Sequence, residues 1–169
     1  MAPLLLHYPI VERMLDNGLR VIVNPDPTSP AVAVNLWYGV GSADESASRT
    51  GFAHLFEHLM FQGSANVPSG EHLASMQAAG GSVNATTSFD RTNYFEAIPV
   101  GALDLALWLE ADRMQSLTVD QDNLNNQREV VKEEKRQRYD NVPYGDVVQL
   151  LLELHFPPDH PYHHPTIGS

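Results

Sequence analysis

The sequence predicts an α+β fold, mainly antiparallel sheet layered against helices, and three observations lead there. Asp16-Asn17-Gly18 sits between two short apolar runs, the turn chemistry of a tight β-hairpin. A second pair of runs rich in β-branched and aromatic residues, 82–89 and 92–98, flanks Asp90-Arg91. The other long stretches have helical periodicity, the two longest at about 99–114 and 120–139.

Taken in order, residues 10–15 and 19–24 pair across the Asn-Gly turn, and Pro25, Pro27 and Pro30 then end the ladder because proline has no N–H to donate. Residues 31–38 resume as a strand with Val32, Val34, Leu36 and Tyr38 on one face. A small polar loop, 39–49, leads to Thr50, a suitable N-cap for a helix from Gly51 to about Phe61 that Phe52, Leu55, Phe56 and Leu59 would seat in the core. Ser69 is placed to cap a second helix over about 70–79, which carries His72. With no partner at ligand spacing, His72 reads as a surface or boundary histidine.

Gly80-Gly81 ends that helix, and the strand that follows, 82–87, has small side chains. Such a strand can offer an edge to an extended peptide or can simply be one arm of a hairpin; the sequence alone favours the hairpin arm. Pro99 opens a helix to about Met114 whose Leu103, Leu105, Ala106, Leu107, Trp108 and Leu109 wrap nearly all round, so it is expected to be largely buried.

In the helix at 120–139 most charge must be a solvated face laced with i,i+4 pairs such as Glu134 with Arg138. The stripe with apolar residues to bury runs through Gln127, Val130, Val131, Glu134 and Arg138, which turns Glu134 inward and leaves Glu129 and Glu133 further round. Spacing separates Glu134 from Glu133 only weakly. Asn141-Val142-Pro143 breaks this helix, a short amphipathic one follows at 145–154, and the histidines of the tail (155, 160, 163 and 164) alternate with proline as a packed loop rather than a second metal site.

Composition narrows the function. One domain, 1–169, is expected, with 43% hydrophobic and 18% charged residues. A formal net charge of -11 repels phosphate backbones, which argues against nucleic acid as a partner. No window is long and apolar enough to cross a membrane, and residues 1–9 lack a basic, apolar leader, from which a cytoplasmic location is expected. Without cysteine, any zinc site must be built from histidine and carboxylate.

The chemistry centres on His54-Leu55-Phe56-Glu57-His58. Histidines four apart on a helix lie about 40° from each other around the axis, so both imidazoles reach one ion from one face. Glu57 is close enough to hold a water beside that ion without binding it. Two interfacial histidines on an amphipathic helix give the same pattern, so the motif needs support from elsewhere.

That support comes as a resemblance to the insulinase or pitrilysin family of zinc metallopeptidases, whose motif is His-x-x-Glu-His. It is carried by His54 to His58, by Gly80-Gly81-Ser82-Val83-Asn84-Ala85-Thr86 leading to Thr92-Asn93-Tyr94, and by Asn126 to Glu134. The segments Leu15 to Val21 and Asp140 to Gly145 are also similar, so nearly the whole chain is covered.

The resemblance implies a half-domain of the insulinase or mitochondrial processing peptidase type, apparently truncated: the N-terminal part of the catalytic half. It implies one Zn²⁺ per chain held by His54, His58 and Glu134, Glu57 as general base, and Asn84, Ala85 and Thr86 as a strand that binds peptide substrate main chain to main chain. Gln127 stands where several members carry a glutamate supporting the metal site. The function implied is endopeptidase cleavage of peptides or unfolded polypeptides; the alternative is a non-catalytic, peptidase-like binding or scaffold subunit of a two-part complex. A homologous second half, in the same chain or another subunit, would supply an arginine–tyrosine pair for the scissile carbonyl. The segment alone is therefore expected to hydrolyse peptides poorly, and a face left open by truncation would invite self-association.

Overall fold

A computed structural model describes residues 8–46 and 48–168. Residues 1–7, which the reading of a leaderless N-terminus concerns, lie outside them.

The unit up to Pro30 is a hairpin of β1 (Val11–Met14) and β2 (Arg20–Val23), with Val11 opposite Val23 and Met14 opposite Arg20. The expected turn is there: Gly18 has φ 86, and Leu19 N–H donates to Asn17 Oδ1 at 3.0 Å.

In the second unit, β3 (Ala31–Tyr38), β4 (Ser82–Thr87) and β5 (Thr92–Pro99) form an antiparallel sheet in the order β3-β5-β4, which leaves β4 at an edge among the described residues. Register places Val34 opposite Glu96 and Ala85 opposite Tyr94. Val32, Val34, Leu36 and Tyr38 are half-buried while their odd-numbered neighbours are exposed, the alternation expected of a strand with one covered face.

The helices are α1 (Phe52–Leu59), α2 (Glu71–Ala78), α3 (Leu103–Ser116), α4 (Gln121–Lys135), continued by a π-helical turn over Arg136–Asp140, and α5 (Val147–His155). The covering of the sheet is read from the core: Val67, Met76 of α2, Ile98 of β5 and Ala102, Ala106 and Leu109 of α3 pack together, with Val32, Val34 and Val83 against them. Burying each of the larger ones, Val67, Met76, Ile98 and Leu109, contributes on the order of 1.5–3 kcal/mol.

Two expectations are corrected here. α3 is not buried all round, because a helix lying on one sheet covers one stripe; Ala106, Leu109, Glu110 and Arg113 form it, while Leu107 and Trp108 are about half exposed. His72 is not at the surface. It lies one turn before the fully buried Met76, on the same face of α2, and is itself 4% exposed.

His72 is one of four buried polar residues joining α2, β5 and α3. His72 Nε2 lies 3.0 Å from Glu96 Oε1 and 3.8 Å from Glu110 Oε1. Arg113 donates to both oxygens of Glu110, Nε to Oε2 at 2.9 Å, and its guanidinium stacks over Tyr94 and Phe61, 4.3 and 5.1 Å from the ring centroids. Burial, only partly offset by Arg113, pushes the Glu110 carboxyl up to about 7. Arg113 supplies the cation that a dry interior requires beside two buried carboxyl groups.

Candidate metal centre and catalytic site

Helix α1 carries the site and is fixed at its start by tight contacts. Gly51 precedes it at φ 84, and a Cβ there would lie 2.6 Å from the Ile167 carbonyl oxygen. The cap is not Thr50. The Glu45 carboxylate accepts from Gly51 N at 2.8 Å and from Ala53 N at 2.6 Å, satisfying free N–H groups and adding negative charge at the positive end of the helix. Leu59 is buried and Leu55 partly so, but Phe52 and Phe56 are 50% and 40% exposed and front an apolar cavity of about 400 Å³ instead of entering the core.

On the opposite side, one turn of α1 directs His54 and His58 at Glu134 of α4. Glu134 Oε2 lies 3.2 Å from His58 Nε2 and 3.7 Å from His54 Nε2, and one ligand atom from each residue lies within 4.8 Å of the other two. The rings are 4.9 Å apart. Glu134 is the acid that turns in: its side chain is 16% exposed, whereas Glu133 (53%) pairs with Arg136 and Glu129 (66%) with Lys132 on the surface. The second oxygen of Glu134 is ion-paired with Arg138, 2.7 Å from its Nη1.

Glu57 projects between these groups and β4, where Thr87 Oγ1 donates to its Oε2. Burial raises the Glu57 carboxyl above the ordinary range, opposed first by the Thr87 bond and then by His58. Burial likewise depresses His54, with Glu134 opposing. A neutral imidazole is the form that ligates a metal.

These residues line a cleft of about 650 Å³, together with Phe61, Asn84, Ala85, Thr86, Gln127 and Tyr139. Gln127 is buried at 6%. Ala85 N–H donates to Asn84 Oδ1 at 2.9 Å, while the Thr86 hydroxyl is committed to Asn93 Oδ1 at 2.6 Å and the Thr86 carbonyl accepts from Arg91 Nη1 at 3.2 Å. The tail closes one end: Tyr162 stacks on Phe89 at 4.5 Å and donates to Asp90 Oδ1 at 2.6 Å, and Thr166 and Ile167 reach the cleft wall.

Two groups escaped the sequence reading. Thr87 was the last residue of a strand noted only for its small side chains, and nothing in its spacing from Glu57 signals the contact. Arg138 is legible as the i+4 partner of Glu134 and as a member of its stripe, but not as part of the cleft wall; its side chain is 70% exposed.

The insulinase family pattern (peptidase family M16) matches residues 20–167. The chain belongs to that family. It is 38% identical over 155 residues to the zinc protease PqqE of Helicobacter pylori, an alignment covering 91% of this chain and 35% of that protein. The crystal structure of a protease from Helicobacter pylori superposes with a TM-score of 0.89 at 36% identity, over 96% of this chain and 39% of the other. Pitrilysin superposes with a TM-score of 0.84 at 26% identity, over 96% of this chain and 17% of its own. The M16 chain thus spans about a third of the length of the curated relatives it matches, and its fold is that of an M16 peptidase N-terminal half. No helix among the described residues is long and apolar enough to cross a membrane.

Proposed function

We propose that this chain is the zinc-bearing part of a metallo-endopeptidase that cleaves peptides or unfolded polypeptides. One observation carries the reading: two imidazoles and the carboxylate of Glu134 converge beside a second, buried carboxylate, in a cleft walled by an open sheet edge. The donor set fits zinc, being two nitrogens and one oxygen with the fourth side left to the cleft. When bound there, zinc supplies Lewis acidity toward the scissile carbonyl and lowers the pKa of water toward ~7.

The chain's own residues do the rest. Glu57 takes the proton from the attacking water and returns it to the leaving amine, with the Thr87 hydroxyl holding one carboxylate oxygen so that the other faces the cleft. The edge of β4 at Asn84, Ala85 and Thr86 pairs with an extended substrate, whose carbonyl would replace Asn84 Oδ1 as acceptor for Ala85 N–H. Gln127 brings a neutral amide to the cleft, where the family resemblance implies a carboxylate in several members, and this tunes metal affinity. A homologous second half completes the environment of the transition state.

Metal analysis tests the core of this reading. One zinc per chain is expected, removed by a chelator, with cleavage by the complete two-half enzyme lost on removal and restored by zinc; a chain that takes up no zinc at micromolar concentration would refute it. Ala85→Pro, which deletes the N–H on the edge, is expected to raise KM for peptides about tenfold or more with zinc content unchanged. An unchanged KM would remove β4 from the substrate site.

A further inference from the structure

We propose that Arg138 is the positioning residue of the metal site: its guanidinium holds one oxygen of Glu134 so that the other stays turned to the two imidazoles. This rests on the reading of His54, His58 and Glu134 as zinc ligands. The two oxygens of Glu134 have divided tasks, Oε1 at 2.7 Å from Arg138 Nη1 and Oε2 at 3.2 Å from His58 Nε2.

A glutamate at the end of a side chain with three rotatable bonds has many ways to present its carboxylate, and an ion pair on the far oxygen removes most of them. Arginine suits the task because it keeps its charge at any working pH and offers a planar fork of donors. Among the described residues it is the one lysine or arginine lining the cleft.

The backbone is built for this placement. Helix α4 ends at Lys135, and the chain continues as a π-helical turn over Arg136–Asp140, a widening found mostly at functional sites. That turn carries Arg138 and Tyr139 onto the cleft wall. The role is not one of stability. The Arg138 side chain is 70% exposed, and a pair with so wet a partner contributes little to folding. What it gives is orientation, and partners of ligating carboxylates typically govern metal affinity by 10- to 100-fold.

The test is the zinc dissociation constant, measured by competition with a chromophoric chelator, for the unaltered protein and for Arg138→Ala, Arg138→Lys and Arg136→Ala. Arg138→Ala is expected to weaken zinc binding about 10- to 100-fold. Arg138→Lys should recover most of the loss, since a lysine can still reach the carboxylate. Arg136→Ala, which removes the surface pair with Glu133, should stay within about twofold. Circular dichroism melts of the metal-free forms should coincide, which separates positioning from folding. Zinc binding by Arg138→Ala equal to that of the unaltered protein would overturn this proposal alone; failure of the unaltered protein to bind zinc would overturn the ligand reading beneath it.

Discussion

Glu57→Gln in the complete two-half enzyme is expected to lower kcat for peptide hydrolysis by about 10²- to 10⁴-fold while zinc stays bound. The amide keeps the size of the side chain and can still accept from Thr87 Oγ1, so α1 and the paired histidines keep their places. What is lost is the one carboxylate of the cleft that is not turned to the imidazoles or to Arg138. Because Glu57 is not among the converging ligand atoms, metal content should be that of the unaltered enzyme. His58→Ala, by contrast, should lose metal and turnover together. Unchanged turnover in Glu57→Gln would end the assignment of Glu57 as base; loss of zinc would place it among the ligands.

How much of this was legible depends on how local the determining contacts are. The Asn17-Gly18 turn, the limits of β3 and the alternation along it follow from neighbours in sequence, and the structure places them where the pattern does. The convergence of His54 and His58 is equally local, being a property of helical spacing. Glu134 required a longer step, since only the burial of one stripe of α4 distinguishes it from Glu133, and its meeting with α1 is tertiary. The Phe52 and Phe56 face was misread because hydrophobic periodicity says which side of a helix is apolar, not whether anything covers it. Glu45 as the cap of α1 was invisible because a loop carboxylate can satisfy helix N–H groups as well as the residue at the cap position does.

Nothing in the sequence pointed to the buried quartet, since His72, Glu96, Glu110 and Arg113 come from three elements and three of the four are residue types that normally stay in water. Its energetic weight makes it the second large expected effect. Arg113→Met should destabilise the fold by about 3–5 kcal/mol, because it strips the guanidinium from Glu110 and leaves a buried carboxylate without its cation. Packing is lost as well, since the guanidinium covers the faces of Tyr94 and Phe61. Urea unfolding at fixed pH reads the change as a lower midpoint, and an unchanged midpoint would show that the quartet carries no such load.

The pH dependence has a definite sign. Glu110 is raised from 4.5 to about 7, so between those values the folded chain holds a proton that the unfolded chain has released. Its contribution to stability therefore falls as pH rises from about 4.5 to about 7 and is level outside that window. Glu110→Gln, fixed in the neutral form, should lose that slope, whereas a slope identical to that of the unaltered protein would assign the titration to another group. Replacing all four residues by apolar ones of similar volume should cost far less than Arg113→Met alone, because the penalty belongs to the unpaired charge rather than to the missing salt bridge.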